Sequence, residues 1–261
     1  MSSGPGIFDL RDRVVIVTGA SSGLGVQFAE SLAAAGAKLV LAARRKGRLE
    51  ELANRLAGLD AQPADVLVHP CDVTREEEVD RLVEACLARY GRVDVLVNNA
   101  GITEIVPAET HPVDRFRAVV DVNLLGVFLC AQRVGRSMLE AGKGSIVNVA
   151  SVLGLVGTGQ VPQAAYAASK GAVVNLTREL GAQWARRGVR VNCLAPGWFE
   201  TEMTAEMFSD ERSRKWMRTR TPMGRPGRPG ELAGALYLLA SDASSFMTGH
   251  TLTVDGGWTI V

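Results

Sequence analysis

The fold is decided by residues 14–25, which read Val-Val-Ile-Val-Thr-Gly-Ala-Ser-Ser-Gly-Leu-Gly. The four apolar residues at its start predict a short strand buried on both faces. Gly19, Gly23 and Gly25 carry no Cβ, so the backbone there can turn sharply and approach a ligand closely. A helix begins at Leu24, and its free N–H groups and positive dipole end predict a site for a pyrophosphate.

The glycine spacing is G-x-x-x-G-x-G. It differs from the G-x-G-x-x-G of the usual dinucleotide-binding fingerprint. Three glycines also suit a tight strand-to-helix turn that binds no ligand. The rest of the chain has to decide between these two interpretations.

Composition predicts an ordinary globular protein of 261 residues, with 47% hydrophobic and 22% charged residues. A formal net charge of +1 gives no field that would attract nucleic acid or an anionic membrane, so neither is expected as a partner. Cys71, Cys86, Cys130 and Cys193 form no CxxC pair and no cluster with histidines. They predict free thiols in a reducing compartment and no metal site.

The ends of the chain and its apolar runs bear on location. Residues 1–8 predict a flexible N-terminus without a signal peptide. No apolar run approaches the ~20 residues of a membrane span. We therefore expect a soluble, cytoplasmic protein in which residues 1–261 form one dinucleotide-binding domain.

Strand and helix patterns alternate along the whole chain. After the first strand, strand patterns occupy residues 38–42, 66–69, 93–97, 145–149, 189–194 and 251–254. This alternation predicts an α/β fold, a doubly wound Rossmann-type parallel sheet with helices on both faces. Polar stretches fall at the carboxyl ends of the strands, where such sheets bind ligands. Thr74 and Glu77 predict a capping box at the start of the third helix.

Six motifs resemble those of the short-chain dehydrogenase/reductase family. They are Thr18-Gly-Ala-Ser-Ser-Gly-Leu-Gly25, Asn98-Asn-Ala-Gly101, Asn123, Ser151, Tyr166-Ala-Ala-Ser-Lys170 and Pro196-Gly197. The resemblance covers essentially the whole chain, through the terminal Val-Asp-Gly-Gly at residues 254–257. It implies an NAD(P)-dependent oxidoreductase that transfers a hydride to or from a ketone/secondary alcohol pair.

Tyr166 and Lys170 are the predicted catalytic pair, because four positions on one helix place both side chains on the same face. A phenol has a pKa near ~10, and an adjacent ammonium should lower it enough for acid/base work. The resemblance implies that Lys170 also binds ribose, that Ser151 polarises the carbonyl and that Asn123 supports a proton relay. Each of these residues also has a purely structural interpretation. Tyr166 could be half-buried beside a surface Lys170, Ser151 could be a turn residue, and Asn123 could be a buried asparagine whose hydrogen bonds are satisfied.

The cofactor is predicted from the end of the second strand, where an acidic residue would hold the ribose of NAD. Ala43 stands there instead, followed by Arg44 and Arg45. Cations before a helix N-terminus are unfavourable unless an anion such as a 2′-phosphate binds them. NADP(H) is therefore favoured and NAD(H) is not excluded, since a solvated basic helix start is the alternative. Against NADP(H), Ser21 and Ser22 stand where many NADP-preferring relatives carry a basic residue.

The resemblance implies a full set of cofactor-binding positions. Besides Tyr166, Lys170 and the two arginines, these are Gly19, Ser21, Ser22, Gly23, Leu24, Gly25, Asp72, Val73, Asn99, Ala100, Gly101, Pro196, Gly197, Phe199 and Thr201.

Residues 196–228 resemble the lid that covers the crevice in relatives. Its large apolar residues are Trp198, Phe199, Met203, Met207, Phe208, Trp216 and Met217. They predict an adaptable apolar pocket for bulky or cyclic ketones, or else simply pack a helix onto the body. The loop between Ser151 and Tyr166 is longer than in most members of the family, and it borders the substrate site. The family's substrates therefore do not transfer directly to this chain.

Three other functions compete with a general ketone reductase. A basic excess in residues 210–228 would suit an anionic substrate, so a 3-oxoacyl thioester reductase and a sugar or sugar-acid dehydrogenase stay open. A non-catalytic cofactor-sensing regulator is a different class, but such proteins characteristically lose the tyrosine or the lysine.

Helical segments 112–140 and 164–187 are apolar nearly all round, which predicts burial on a second side. The resemblance implies that these two helices pair across a two-fold axis. We therefore expect a homotetramer or homodimer.

Overall fold

Seven parallel strands form the central sheet of the protein. The computed structural model describes residues 6–58 and 64–261. The strands are β1 (Val14–Thr18), β2 (Lys38–Ala43), β3 (Val66–Pro70), β4 (Val95–Asn98), β5 (Gly144–Val149), β6 (Val189–Pro196) and β7 (Thr251–Val254). Their order across the sheet is β3-β2-β1-β4-β5-β6-β7, and every neighbouring pair is parallel. The predicted doubly wound parallel sheet is confirmed.

Helices cover both faces of this sheet. They are α1 (Gly23–Ala34), α2 (Lys46–Ala57), α3 (Glu76–Tyr90), α4 (Val113–Val120), α5 (Gly126–Ala141), α6 (Ala164–Trp184), α7 (Ala205–Ser209), α8 (Glu211–Arg220) and α9 (Ala233–Ala240). Alternate β1 residues face opposite layers: Val15 and Val17 pack with α1, α2 and α9, whereas Val14 and Ile16 pack with α3, α5 and α6. This alternation follows from the two-residue period of a strand.

The order of strands reverses between β1 and β4. The chain moves outward from β1 to β3 and then returns to place β4 on the other side of β1. Connections on either side of this point diverge, which leaves a crevice at the carboxyl ends of the two strands. The loops after Thr18 and Asn98 therefore face each other across a natural ligand site.

The predicted capping box at Thr74 and Glu77 is wrong. Helix α3 begins at Glu76, and its N-cap is Arg75, which makes no side-chain cap. Both the backbone N–H and the hydroxyl of Thr74 donate to Asp72 Oδ1, at 3.0 and 2.8 Å. The threonine that was predicted to cap the helix therefore hydrogen-bonds to Asp72 in a local turn.

The helix predicted over residues 112–140 is continuous from Val113 to Ala141, with a π turn at Asp121–Leu125 joining α4 to α5. By length and a mean hydropathy of 1.4 alone, it would qualify as a membrane span, contrary to the expectation that no run approaches that length. Half of the qualifying window is buried inside the protein. Its residues Leu129, Val134 and Met138 belong to the core beside the sheet.

The predicted flexible segment 1–8 lies mainly outside the described residues. Of its described part, Ile7 and Phe8 are exposed.

Candidate active site

A cavity of about 420 Å³ opens at the carboxyl ends of the strands. Of the predicted catalytic and cofactor-binding residues, all line it except Gly25 and Asn123. Several lining residues were not predicted as site residues: Ala43, Cys71, Ile102, Val122, Val149, Ala150, Glu202 and Thr204. Ala43 and Val149 end strands, and Cys71 and Ala150 follow strands directly, so the strand ends could have indicated these four, but no pattern pointed to Glu202.

The turn between β1 and α1 has the geometry of an anion site. Gly19 and Gly23 have positive φ angles of 66° and 55°, a backbone conformation that favours glycine. Ser22 occupies the N-cap of α1 and makes no side-chain cap, and the first turn contains no acidic residue. The first N–H groups of α1 are thus available for a phosphate, and these residues fit a dinucleotide.

Gly25 has a different role from the one expected. A Cβ at this position would lie 2.2 Å from the carbonyl oxygen of Gly19. The glycine therefore lets α1 pack against the turn that precedes it, and it does not line the cavity. Asn99 secures the same turn, since its side-chain amide donates to the carbonyl oxygen of Thr18 at 3.0 Å.

Arg44, Arg45 and the carboxylate of Asp72 lie at the end of the cavity beside β2 and β3. Ala43 ends β2, with Arg44 and Arg45 directly after it, and all three line the cavity. Burial alone would raise the pKa of Asp72, but hydrogen bonds from Thr74 and nearby arginines hold that pKa below its usual range. Asp72 is therefore a carboxylate at neutral pH, available to accept a hydrogen bond at this end.

Ser151, Tyr166 and Lys170 meet on the opposite wall. Ser151 follows β5 and accepts a hydrogen bond from the backbone N–H of Leu153 at 3.1 Å. Lys170 is 3% exposed, and its Nζ lies 5.6 Å from the centre of the Tyr166 ring. Both side chains project from α6, as the four-residue spacing predicts.

The electrostatics of this pair differ from our expectation. Burial raises the pKa of Tyr166, and the nearby Ser151 hydroxyl only partly counteracts it. Burial also lowers the pKa of Lys170 to about 8. The ammonium donates to the carbonyl oxygen of Val149 at 2.8 Å and not to the phenol, and the net effect of burial is to raise the phenol pKa, where the sequence predicted that Lys170 would lower it. Tyr166 consequently keeps its proton at neutral pH, which suits a general acid.

Asn123 lies in the π turn and is fully buried. Its Oδ1 accepts from the backbone N–H of Ile102 at 2.8 Å. Its Nδ2 donates to the carbonyl oxygen of Ile102 at 2.9 Å and to Ser169 Oγ at 3.0 Å. Because both side-chain hydrogens are used, the side chain fits the alternative of a satisfied buried asparagine. Its role in a proton relay remains a prediction.

The predicted lid, residues 196–228, contributes two kinds of apolar residue. Phe199 and Met203 line the cavity. The other five (Trp198, Met207, Phe208, Trp216 and Met217) pack in a cluster that also contains Tyr166 and Trp258. In this cluster the three indole rings meet edge to face, with centroids 5.0–5.4 Å apart. Trp198 and Trp216 of the lid, together with Trp258, thus form an aromatic wall that packs with Tyr166, and Phe199 and Met203 form part of the cavity surface.

The fold and this site together define a class of protein, an oxidoreductase with a dinucleotide fold and a Ser-Tyr-Lys wall. Residues 19–259 match the family described as enoyl-(acyl carrier protein) reductase. The chain belongs to the short-chain dehydrogenase/reductase family.

Similar proteins span the full length of the chain. It is 40% identical over 259 residues to gluconate 5-dehydrogenase from Gluconobacter oxydans, covering 99% of each chain. It is 43% identical over 252 residues to cis-4-hydroxycyclohexanecarboxylate dehydrogenase from Sinomonas cyclohexanicum, covering 96% of this chain and 98% of that one. Among solved structures, a gluconate 5-dehydrogenase from Burkholderia cenocepacia in complex with NADP and tartrate is 40% identical, with a TM-score of 0.92 and 98% of each chain covered.

Proposed function

We propose that the protein is an NADP(H)-dependent oxidoreductase that interconverts a ketone and a secondary alcohol. The observation that carries this proposal is the meeting of Ser151, Tyr166 and Lys170 on one wall of the cavity that the glycine turn closes on the other side. A non-catalytic regulator would have no use for a protonated phenol and a lysine at that place.

The cofactor proposal depends on charge and backbone. The N–H groups at the start of α1 would hold the pyrophosphate, and Arg44 and Arg45 would hold the 2′-phosphate. The Burkholderia relative binds NADP, which supports the same choice. When bound, NADPH supplies the hydride for reduction.

The side chains supply the remaining chemistry. The Ser151 hydroxyl would donate a hydrogen bond to the substrate carbonyl oxygen and so stabilise the charge that develops on it. The Tyr166 phenol would give its proton to that oxygen, which completes the alcohol; in oxidation the phenolate takes the proton back. Lys170 would hold the ribose hydroxyls and stabilise the phenolate once it forms.

For the substrate we propose a ketone on a ring or another bulky apolar framework. The aromatic wall of Trp198, Trp216 and Trp258 stands behind Tyr166, and Phe199 and Met203 form the open surface. The Sinomonas relative acts on a cyclic hydroxy acid, which fits this shape.

A sugar acid is the second candidate, because two of the relatives above are gluconate 5-dehydrogenases. A 3-oxoacyl thioester has less support. Its case depended on basic residues in 210–228, of which Arg214 and Arg218 pair with Glu211 and Arg225 pairs with Glu231. These pairs engage three of the seven basic residues in that range, which weakens the case for an anionic thioester without removing it.

A substrate comparison with NADPH tests the function. We expect 4-oxocyclohexanecarboxylate to be reduced with a higher kcat/KM than 5-ketogluconate, and the Tyr166→Phe variant to reduce neither. A sugar acid preferred by tenfold or more would contradict the apolar-pocket proposal and leave the oxidoreductase proposal intact.

We also propose a homo-oligomer with one dinucleotide-binding domain per chain, residues 1–261, and a lid at 196–228. On the helix Val113–Ala141, Val119, Val127 and Leu129 are buried within the chain, but Val113 and Leu125 are 64% and 43% exposed. They supply an apolar surface for a second copy. The four cysteines are free and buried, which supports the proposed cytoplasmic location.

A further inference from the structure

A carboxylate of the lid reaches across to the arginines beside the glycine turn. Glu202 Oε2 accepts hydrogen bonds from Nη1 and Nη2 of Arg45, both at 3.3 Å. Its other oxygen lies 3.7 Å from Arg48 Nη1. Glu202 and Arg45 both line the cavity, so this contact joins the lid to the adenosine end of the site.

The position of Glu202 is set by the backbone around it. Thr204 Oγ1 donates to the carbonyl oxygen of Phe199 at 2.8 Å and accepts from the N–H of Thr201 at 2.9 Å. These bonds close a tight turn with Glu202 at its tip. On the other side, Arg45 is held by Ser21, whose Oγ accepts from Nε at 3.2 Å and whose carbonyl oxygen accepts from Nη2 at 3.4 Å.

The guanidinium of Arg45 therefore already has an anionic partner. We propose that Glu202 is a cofactor-selectivity residue, whose carboxylate competes with the 2′-phosphate of NADP(H) for Arg45. This inference rests on the proposed role of Arg45 in cofactor binding. NADP(H) places a phosphate near this carboxylate, whereas NAD(H) places a neutral hydroxyl there.

The carboxylate of Glu202 should therefore reduce the preference of the protein for NADP(H) over NAD(H). Because Glu202 partly neutralises Arg45, the 2′-phosphate gains less from that guanidinium and NADP(H) binds more weakly, whereas NAD(H), which lacks the phosphate, loses little. The side chains of Arg45 and Glu202 are 48% and 53% exposed, so solvent screens the interaction and keeps its size modest.

Equilibrium binding measures this effect without turnover. We would titrate the wild type, Glu202→Gln and Glu200→Gln with NADPH and NADH, following the fluorescence of the reduced nicotinamide. Glu200 is an exposed lid carboxylate two positions away, so it serves as the matched control. Glu202→Gln should tighten NADPH binding about three- to fivefold and NADH binding less than about twofold, as expected for a screened ion pair. Glu200→Gln should change neither.

A second background tests the route through Arg45. In an Arg45→Ala protein, Glu202→Gln should lose most of its effect on the NADPH-to-NADH ratio, because the residue for which the two anions compete is gone. An unchanged ratio in Glu202→Gln, or weaker NADPH binding, would overturn the inference. A wild type that binds NADH more tightly than NADPH would instead refute the proposed cofactor, while a shift of the ratio in Glu202→Gln would still support the role of Glu202.

Discussion

Lys170 Nζ donates a hydrogen bond to the carbonyl oxygen of Val149 across 2.8 Å, in a place where burial lowers the pKa of the lysine to about 8. Its ordinary value is 10.5, so between these two values the unfolded chain binds more protons than the native one. Below pH 8 the lysine is charged in both states, and its burial destabilises the native state fully. Above pH 10.5 it is neutral in both states, and this destabilisation is gone. Stability should therefore rise with pH through this window.

We expect the unfolding free energy of the wild type, relative to Lys170→Met, to rise by about 2 kcal/mol between pH 7.5 and 9.5. Denaturant unfolding of both proteins at several pH values measures this difference. Parallel pH profiles for the two proteins would show that Lys170 titrates at its ordinary value.

Tyr166→Phe should abolish turnover and leave NADPH affinity nearly unchanged, because the change removes only the proton donor and keeps the ring. Initial rates with saturating NADPH, together with a binding titration, separate these effects. Tyr237→Phe is the control: this phenol donates to the carbonyl oxygen of Ser31 and does not line the cavity. Residual activity above a few per cent in Tyr166→Phe would mean that another group is the acid.

Ala43→Asp combined with Arg44→Ala should shift preference from NADPH towards NADH. A carboxylate at the end of β2 repels the 2′-phosphate and accepts the ribose hydroxyls. The ratio of kcat/KM for the two cofactors gives the result. Arg55→Ala serves as a control, since Arg55 pairs with Glu30 and does not line the cavity. A wild type that already favours NADH in kcat/KM would contradict the cofactor assignment.

Gly25→Ala should destabilise the protein by more than about 2 kcal/mol, because its Cβ would meet the Gly19 carbonyl oxygen at 2.2 Å. Gly47→Ala is a matched change in α2 with nothing within 4 Å of the new Cβ. It should stabilise the protein by about 0.5–1 kcal/mol. Thermal and denaturant unfolding compare the two variants, and equal effects would show that α1 can shift away from the turn.

Leu125→Glu should convert the expected oligomer into smaller species, since it places a charge on the exposed apolar surface of the helix Val113–Ala141. Light scattering after size exclusion gives the mass of each species. Ala57→Glu makes the same kind of change at an exposed site on α2 and should leave the mass unaltered. A wild type that is already monomeric at micromolar concentration would refute the assembly.

Much of the site could be predicted because its residues follow local patterns. The apolar run of residues 14–17 is typical of a buried strand, and the glycines after it form a local turn motif. The spacing of Tyr166 and Lys170 matches the period of nearly four residues in a helix. The strand ends then bring these motifs together, because a doubly wound parallel sheet aligns all of its carboxyl ends at one edge. Those patterns sufficed for the fold, the glycine turn after β1 and the placement of the tyrosine beside the lysine.

The sequence by itself thus determined the architecture and the place of the site, and the tertiary structure decided what each group there contacts. Only the folded chain shows that Gly25 lies against the carbonyl oxygen of Gly19 and that Lys170 donates to the carbonyl oxygen of Val149. It also shows that the Thr74 hydroxyl donates to Asp72 and does not cap α3. Glu202 and Arg45 are 157 positions apart, and no periodicity connects them. Such contacts depend on the distance and burial of side chains from separate elements, which hydrophobic patterns of a few residues do not encode.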